Sequence, residues 1–262
     1  MSMIRADWVY RQEDAAFYEE HGYCIFDQFL TEKTLTDCQQ RIDEMQAALQ
    51  PGRDPADIIS AHEFHSWIWD LATETKILDL IESQIGPNIV FWSSHLVSKP
   101  PHSGIEIPWH QDSPYWNVGG PLPSGLWIAF DDMSEENGAM CVLPGWQTKG
   151  TLPIDMRDEA LFNQMVDPTA LPAEVDNMKV QYSMPAGGMA IHNTMIPHNS
   201  LPNHSDYWRR VLVLRYMTAD AEMGKKTYED YRDGTSFPRK YYLVRGEDVG
   251  HRNLPRIPAL LA

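Results

Sequence analysis

The segment IPWHQD, residues 107–112, is the most informative stretch of this chain. Its first four residues are predicted to form a strand, in which side chains two positions apart point the same way. On that pattern His110 and Asp112 reach a single metal ion while Gln111 points elsewhere. A His-x-Asp tripeptide by itself is weak evidence, because two polar residues at a strand end often arise by chance. A metal site therefore needs further ligands from elsewhere in the chain.

A third ligand must come from another strand, and two histidines compete for that place. His198 follows a glycine-rich turn and an apolar run, far downstream of Asp112. His192 is its rival, since a regular strand would place both imidazoles on one face, although Pro197 breaks that regularity. Two imidazoles and one carboxylate form the facial triad of non-haem Fe(II) oxygenases, which leaves the other side of the metal open. The pattern therefore favours an iron site.

Two adjacent arginines, Arg209 and Arg210, begin a later predicted strand. Because side chains alternate along a strand, only one of them can point inward, and its spacing from His198 favours Arg209. A guanidinium has a clear purpose beside such an iron site. The co-substrate 2-oxoglutarate would bind iron through its keto-acid end, leaving a remote carboxylate that arginine can hold bidentately. The alternative for either arginine is a solvent-facing cation at a strand end.

The overall composition excludes several classes of partner. The chain has 262 residues and a formal net charge of −16, and it contains no run near the ~18 apolar residues of a membrane span. Such an acidic surface should repel nucleic acid and anionic lipid, so we expect neither as a partner. The three cysteines, Cys24, Cys38 and Cys141, show no Cys-x-x-Cys spacing, and residues 1–10 lack the apolar core of a secretory signal. We therefore predict a cytoplasmic protein with a small-molecule substrate.

The chain is predicted to be helical first and strand-rich afterwards, with no repeat or linker that would divide it. We expect helices over residues 12–21, from about residue 31 to residue 49, and over residues 66–85 as one element. The predicted strands cover residues 23–26, 89–97, 107–110, 125–131, 140–143, 189–193 and 209–216. Asn137-Gly138 predicts a hairpin between two of these strands, because both residues tolerate positive φ. Residues 151–178 show no sustained period and are expected to form a long surface loop.

The chain resembles the phytanoyl-CoA dioxygenase family of Fe(II)- and 2-oxoglutarate-dependent oxygenases. The matching stretches are SKPP (98–101), WHQD (109–112), WIAFDD (127–132), ENGA (136–139), LPG (143–145), PHNS (197–200) and RR (209–210). The resemblance implies a mainly β fold with flanking α-helices, built on a double-stranded β-helix (jelly-roll, cupin-like) core. It implies a single domain, with residues 1–86 as mostly helical support, 87–217 as the jelly-roll core and 218–262 as a C-terminal extension.

The same resemblance implies the cofactors and the residues that bind them. The expected cofactors are Fe(II), 2-oxoglutarate as co-substrate and O2, and the expected reaction hydroxylates or otherwise oxidises a C–H bond, releasing succinate and CO2. The implied metal ligands are His110, Asp112 and His198. The implied 2-oxoglutarate contacts are Arg209, Ser200, Trp127 and His95. Family members that act on phytanoyl-CoA carry an upstream lysine that this chain lacks around Ile58, which puts a CoA thioester substrate in doubt.

The identity of the metal ligands also bears on the type of reaction. Related halogenases have Ala or Gly in place of the carboxylate, so Asp112 predicts hydroxylation or a related oxidation and not halogenation. The rival from another class is a non-oxidative, cupin-like metal-binding or isomerising protein. It would keep the three metal ligands but would not require Arg209.

The substrate contacts are predicted mainly from position along the chain. Tyr115, Trp116 and Asn117 directly follow the ligand pair, where they would overhang the open side of the metal. Packing within the loop is an equally good explanation for the first two. Lys99 would neutralise an anionic substrate or would simply end a strand. The remaining histidines, His62 among them, are expected at the surface or at helix caps.

Overall fold

Two antiparallel sheets face each other in the computed structural model, and helices cover the outer face of the larger sheet. The structure describes residues 2–104, 106–116, 118–119, 124–156, 164–223 and 227–258. The helices are α1 Gln12–His21, α2 Glu32–Ala47, α3 Ser66–Ala72, α4 Thr75–Ile85, α5 Asp112–Trp116 and α6 Val175–Met178, with 3-10 turns at Ala61–Glu63, Trp146–Lys149 and Pro168–Ala170. Among the described residues, no helix combines the length and apolar character that a bilayer crossing requires.

The strands divide between the two main sheets and three short ribbons. They are β1 Tyr23–Phe26, β2 Asp57–Ile59, β3 Ile89–Lys99, β4 Ile107–His110, β5 Val118–Gly119, β6 Ser124–Ala129, β7 Met140–Val142, β8 Ile154–Met156, β9 Gln164–Val166, β10 Val180–Gln181, β11 Met189–His192, β12 His198–Ser200, β13 Arg209–Thr218, β14 Glu222–Met223, β15 Thr227–Glu229, β16 Ser236–Pro238 and β17 Tyr242–Arg245. The larger sheet has the order β1-β11-β6-β13-β3-β17, with β2 also paired to β3, and the smaller has the order β10-β7-β12-β4. The predicted core of two facing antiparallel sheets with flanking helices is confirmed.

Strand β13 shows how the sequence assigns each face of the larger sheet. Leu212 and Leu214 point to the helical side, where they join the main core cluster. Val211 and Val213 point to the smaller sheet and join a second cluster between the sheets. Because the alternation has a period of two, Arg209 at the start of the strand shares the inner face with these two valines.

Helix α2 forms where its apolar spacing predicts. Thr31 is the N-cap, and its hydroxyl oxygen accepts a hydrogen bond from the Thr34 backbone N–H at 3.1 Å. Cys38, Ile42 and Met45 then recur at intervals of three and four residues and are all buried. Burying each of the larger two side chains contributes roughly 1.5–3 kcal/mol, which fixes α2 on the sheet.

The single helix predicted over residues 66–85 is wrong, because α3 and α4 are separated at Thr73 and Glu74. The Thr73 hydroxyl donates to the Trp69 carbonyl at 2.9 Å, and Glu74 adopts an extended backbone with ψ 132°. A β-branched residue that bonds back to the preceding turn competes with helix propagation. The apolar period continues across the break, which is why the sequence pattern did not reveal it.

The hairpin predicted at Asn137-Gly138 is also wrong. The flanking strands β6 and β7 belong to different sheets, so the segment crosses from one sheet to the other. Only Gly138 has a positive φ, of 72°, whereas a type I′ turn needs positive φ at both positions. The Asn137 side chain instead organises the crossing, accepting from the Ser134 N–H at 2.9 Å and donating to the Asp132 carbonyl at 2.5 Å.

The segment predicted as a long surface loop over residues 151–178 contains regular structure. Strands β8 and β9 pair in an antiparallel ribbon, and α6 closes the segment. Residues 157–163, between the two strands, lie outside the described residues.

His62 was expected at the surface and is instead completely buried behind the larger sheet. Its Nδ1 lies 2.8 Å from the Ser94 Oγ, and the neighbouring Glu63 carboxylate, also buried, accepts from the Tyr242 hydroxyl at 2.6 Å. Burial, aided by the charge of Lys240, lowers the pKa of the His62 imidazole to about 3. His62 is therefore neutral in the folded protein near neutral pH.

A variant at His62 should change the acid sensitivity of the fold. Below pH 6.5 His62 is protonated in the unfolded chain, whereas in the folded chain its pKa of about 3 keeps it neutral until that pH. Stability is therefore lost as the pH falls through this window. Between pH 6.5 and pH 4 we expect the unfolding free energy of the wild type to fall by about 3 kcal/mol more than that of His62→Gln. Urea titrations of both proteins at the two pH values measure this difference in unfolding free energy. An equal fall in both proteins would contradict the assignment of His62 as a buried, neutral imidazole.

Candidate active site

Three side chains converge where β4 and β12 pair in the smaller sheet. His110 is the last residue of β4 and lies directly opposite His198, the first residue of β12. Asp112 is the first residue of α5. The prediction that strand alternation aligns Asp112 with His110 is therefore wrong in its mechanism, because the strand ends at His110. The turn into α5 brings the carboxylate to the imidazole instead.

The donor atoms of these residues are close enough to share one cation. Nε2 of His110 lies 3.8 Å and Nε2 of His198 lies 3.9 Å from Oδ1 of Asp112. The two imidazole centroids are 4.0 Å apart, and all three ligand atoms lie within 4.8 Å of one another. Cis donors each ~2.1 Å from a common ion lie ~3.0 Å apart, so each His–Asp distance would have to close by about 1 Å around a bound ion.

Hydrogen bonds to the backbone fix both rings in the tautomer that a metal requires. Nδ1 of His110 donates to the Pro108 carbonyl at 2.8 Å, and Nδ1 of His198 donates to the Ile196 carbonyl at 3.0 Å. Each Nε2 is thereby left as the ligand atom. Burial lowers the pKa of His110 and lowers that of His198 well below its usual range, so both rings are neutral.

Asp112 supplies the negative charge of this cluster. Its burial would raise the pKa of the carboxyl, but His192, His198, His110 and Arg215 together hold that pKa well below its usual range. The carboxylate is therefore ionised throughout the physiological range. One carboxylate with two neutral imidazoles is the donor set of a non-haem Fe(II) centre, so the residues present fit that ion.

His192, the rival third ligand, approaches the same centre from the larger sheet. It ends β11, and its Nε2 lies 3.9 Å from Oδ2 of Asp112, while its ring centroid is 4.9 Å from that of His198. The group of donors that the described residues bring together comprises His110, Asp112 and His198 without it. The geometry thus favours His198 as the ligand and places His192 beside the other carboxylate oxygen.

Arg209 is fully buried, and within the described part of the chain its side chain has no hydrogen-bond partner at any of its three nitrogens. It lines the same cavity as the triad, with its guanidinium carbon 5.6 Å from the Trp127 ring centroid. The Ser200 hydroxyl, also buried and without a partner, lines that cavity too. Burial lowers the pKa of the Arg209 guanidinium to about 10, with only Asp131 opposing it. A buried cation with unused donors indicates a site for an anion.

The adjacent Arg210 has the opposite environment. It points away from the cavity and forms a bidentate pair with Asp131, at 2.8 and 2.9 Å, and a second pair with Asp43 at 2.5 Å. Strand alternation therefore separates the two arginines as expected, with Arg209 inward.

Lys99 lies behind Ser200, opposite Arg209 in the pairing of β3 with β13. Its ammonium donates to the carbonyl of Ser200 at 3.0 Å and to the carbonyl of Leu201. Burial, followed by the charge of Arg209, lowers the pKa of this ammonium to about 7. These contacts favour a role in fixing β12 over the predicted contact with an anionic substrate.

The other predicted contacts fall in three different places. His95 and Trp127 line the cavity, and Nε2 of His95 lies 2.5 Å from Oδ1 of Asp57. Trp116 is buried and packs edge-to-face on Trp92, with centroids 5.3 Å apart. The side chain of Tyr115 and the whole of Asn117 lie outside the described residues.

Two residues of the site were missed by the sequence analysis. Gln111, expected to point away, donates to the carbonyls of Gly150 and Met195 at 2.9 and 2.6 Å and accepts from the Leu152 N–H at 2.8 Å. It thus anchors the loops beside the metal ligands. Arg215 lines the cavity, and the period of two that begins at Arg209 already places it on the inner face.

The cavity that contains the triad and Arg209 measures about 80 Å³. Its walls include apolar side chains from both sheets, among them Val97, Val213 and Met140. A larger groove of about 680 Å³ lies along α2 and shares no lining residue with this cavity. The chemistry-bearing residues therefore belong to the smaller, inter-sheet cavity.

Comparisons with known proteins agree with this architecture. The family model described as phytanoyl-CoA dioxygenase (PhyH) matches residues 18–211. The chain is 33% identical over 197 residues to a probable alpha-ketoglutarate-dependent hypophosphite dioxygenase of Stutzerimonas stutzeri, which covers 70% of this chain and 66% of that protein. It is 30% identical over 156 residues to the peroxisomal phytanoyl-CoA dioxygenase of Homo sapiens, covering 56% of this chain and 45% of that protein. The chain therefore spans less than two thirds of the length of these relatives.

A solved structure extends the likeness over almost the whole chain. The non-heme monooxygenase ThoJ, in its apo form, superposes with a TM-score of 0.72 at 25% identity, covering 94% of this chain and 88% of that one. The similarity thus includes the N-terminal helices and the C-terminal segment as well as the two sheets.

Proposed function

Because the chain belongs to the phytanoyl-CoA dioxygenase family, we propose that it is an Fe(II)- and 2-oxoglutarate-dependent oxygenase. It oxidises a small organic substrate at a C–H bond, by hydroxylation or a related reaction, and releases succinate and CO2. The observation that carries this proposal is Arg209, a fully buried guanidinium with three unpartnered nitrogens in the cavity of the triad. The cupin-like alternative, which needs no diacid co-substrate, does not require such a group.

His110, Asp112 and His198 would hold the metal. Ferrous iron bound there would supply the activation of O2 and the oxidative decarboxylation of 2-oxoglutarate. The backbone carbonyls that accept from each Nδ1 keep both imidazoles neutral and aimed at the ion. Asp112 contributes the third bond and one negative charge, and its presence keeps halide from occupying that position.

Arg209 would hold the distal carboxylate of 2-oxoglutarate, and the Ser200 hydroxyl would donate to it. Trp127 lies against the guanidinium and holds its plane. Lys99 anchors the Ser200 backbone from behind, so that the hydroxyl is positioned on a fixed strand. His95 lines the same cavity, where its bond to Asp57 orients the ring toward bound ligands. The low-dielectric surroundings strengthen each of these contacts and exclude water.

The substrate is a small molecule, as the family implies. Trp116 and the neighbouring Tyr115 and Asn117, which directly follow the ligand pair, are proposed to border its site. A CoA thioester is disfavoured by the net charge of −16 and by the absence of an upstream lysine around Ile58. The buried, unpaired cysteines fit the predicted reducing, cytoplasmic location.

Anaerobic addition of Fe(II) and 2-oxoglutarate to the purified protein tests the proposal. We expect a metal-to-ligand charge-transfer band that requires both additions, and slow succinate release when O2 is admitted. The cupin-like, non-oxidative alternative predicts no such band and no effect of Arg209→Met on metal binding or turnover. Absence of the band from wild-type protein that binds Fe(II) stoichiometrically rules out our proposal.

A further inference from the structure

A second, half-buried arginine lines the cavity farther along β13. Arg215 lines the cavity together with the triad and shares the inner face of the strand with Arg209, Val211 and Val213. Six residues of strand place the two arginine Cα atoms about 20 Å apart. The strand thus carries one cation at each end of the cavity.

Arg215 has few contacts that would use its charge. Its Nε is buried and has no hydrogen-bond partner in the ranges that the structure describes, and Nη1 lies at the long distance of 3.5 Å from the Ser93 Oγ. Among the described residues, no carboxylate lies within ion-pair distance of the guanidinium. The nearest acidic groups that influence it are Asp112 and Asp57. The first is a proposed metal ligand, and the second is bonded to His95.

The surroundings hold this guanidinium in a fixed orientation. Its carbon lies 4.9 Å from the Trp116 ring centroid and 6.0 Å from that of Trp92, and the two rings meet edge-to-face. Gly125 lies directly opposite Arg215 on β6, and a Cβ there would meet the Leu214 carbonyl at 3.2 Å and the Arg215 Cγ at 3.9 Å. The tight contact is the one to the Leu214 carbonyl, so Gly125 allows the close approach of β6 to β13 on which Arg215 lies, and a Cβ there would only touch the arginine stem. Arg215 is thus preorganised and not a flexible surface cation.

Loading the site would leave the charge of Arg215 only partly compensated, because Asp112 would then bind the metal and Asp57 is bonded to His95. Ferrous iron, Asp112, the 2-oxoglutarate dianion and Arg209 together sum to no net formal charge. Arg215 then adds one positive charge inside a cavity with apolar walls, where an unpaired charge is costly. A further anion would relieve that cost, and the open side of the metal is where the substrate must bind.

Resting on the function proposed above, we propose that Arg215 binds an oxyanion of the substrate, so that the substrate is a small acid bearing a carboxylate or a phosphonate-type group. Arg209 and Arg215 then divide two tasks between them. Arg209 holds the co-substrate, and Arg215 sets the orientation of the substrate and so selects the C–H bond that faces the metal. Trp116 contributes indirectly, because its ring supports the Arg215 guanidinium.

A panel of matched acids and neutral analogues tests this inference. Short-chain carboxylates and alkylphosphonates, each with its primary amide or dimethyl ester, are added to the protein loaded with Fe(II) and 2-oxoglutarate. Two readouts are recorded: the shift of the charge-transfer band under anaerobic conditions, and succinate release in air. We expect at least one acid to shift the band and stimulate release, and its neutral analogue to do neither. The two acid series distinguish a carboxylate from a phosphonate substrate.

Variants of Arg215 then connect that selectivity to the residue. Arg215→Met should raise the KM for the active acid about 10²-fold, because a buried charge-assisted pair is lost, while the KM for the co-substrate changes less than about twofold. Arg215→Lys should recover part of the loss, and it provides a second variant if the methionine substitution impairs folding. Arg41→Met, at an exposed position on α2, is the control and should match the wild type.

The possible failures are distinguishable. A wild-type protein without the charge-transfer band would remove the proposed function itself. A normal band combined with any of three results would overturn only the role of Arg215: no acid in the panel shifts the band, neutral analogues act as well as the acids, or Arg215→Met leaves the KM for the acid unchanged.

Discussion

His198→Ala is expected to eliminate the charge-transfer band and to lower succinate release at least about 10³-fold. Residues that only support metal ligands typically cost 10–100-fold in metal affinity or activity when replaced, so loss of a ligand should cost more. His198 belongs to the group of three donors among the described residues, whereas the neighbouring His192 lies beside the other carboxylate oxygen of Asp112 and is not part of that group. Fe(II) titration followed by the anaerobic spectrum measures the loss directly.

Two other histidines make the result specific. His192→Ala removes the ring 3.9 Å from Oδ2 of Asp112 and should retain the band, with activity reduced no more than about 100-fold. His102→Ala removes a ring that is 66% exposed and should have no effect. If His192→Ala abolished the band while His198→Ala preserved it, the ligand assignment would be reversed.

Arg209→Met is expected to impair co-substrate binding and, at the same time, to stabilise the protein without ligand. Loss of the bidentate pair should raise the KM for the co-substrate about 10²–10³-fold. The methionine removes a buried guanidinium with three unsatisfied nitrogens, so the unfolding free energy of the ligand-free protein should rise by about 2 kcal/mol. The same guanidinium thus strengthens co-substrate binding and destabilises the ligand-free protein.

The neighbouring arginine provides a matched control with the opposite outcome. Arg210→Met breaks the pairs with Asp131 and Asp43, so it should lower the unfolding free energy by about 1–2 kcal/mol and leave the KM for the co-substrate unchanged. Urea denaturation without 2-oxoglutarate measures the change in unfolding free energy. The same titration with 2-oxoglutarate measures binding, because a ligand stabilises only a protein that binds it. Equal behaviour of the two variants would contradict the inward assignment of Arg209.

The parts of the fold that could be predicted are those with a strong local period. In strand β13 the period of two separates Arg209 from Arg210, and the spacing from His198 indicates that Arg209 is the inner one, as the structure has it. Helix α2 likewise begins at the threonine cap and buries the residues that its spacing selects. In both cases the local pattern and the tertiary environment require the same side chains to be buried.

The parts that failed depend on long-range pairing or on single hydrogen bonds. Strand β12 has only three residues, all polar and all buried, so it carries no apolar pattern, and its place is set by pairing with β4 and β7. The break at Thr73 depends on one hydroxyl, and the crossing at Gly138 depends on which sheet receives β7. His62 is buried because Ser94, far away in the sequence, supplies its partner.

The candidate site shows the same division. The motif residues identified the donors, but their contacts came from the fold. Asp112 reaches the imidazoles from a helix start and not from a strand, and Gln111 connects loops that the sequence left unassigned. Strand alternation could have placed Arg215 on the inner face, but only the structure shows that it lines the cavity with an unpartnered Nε among the described residues.

A crystal structure of the protein grown anaerobically with Fe(II) and 2-oxoglutarate tests the central claim most directly. We predict one ion ~2.0–2.2 Å from Nε2 of His110, a carboxylate oxygen of Asp112 and Nε2 of His198, with the distal carboxylate of 2-oxoglutarate paired to Arg209. An ion bound through His192 in place of His198, or a co-substrate whose distal carboxylate leaves Arg209 unpaired, would contradict it.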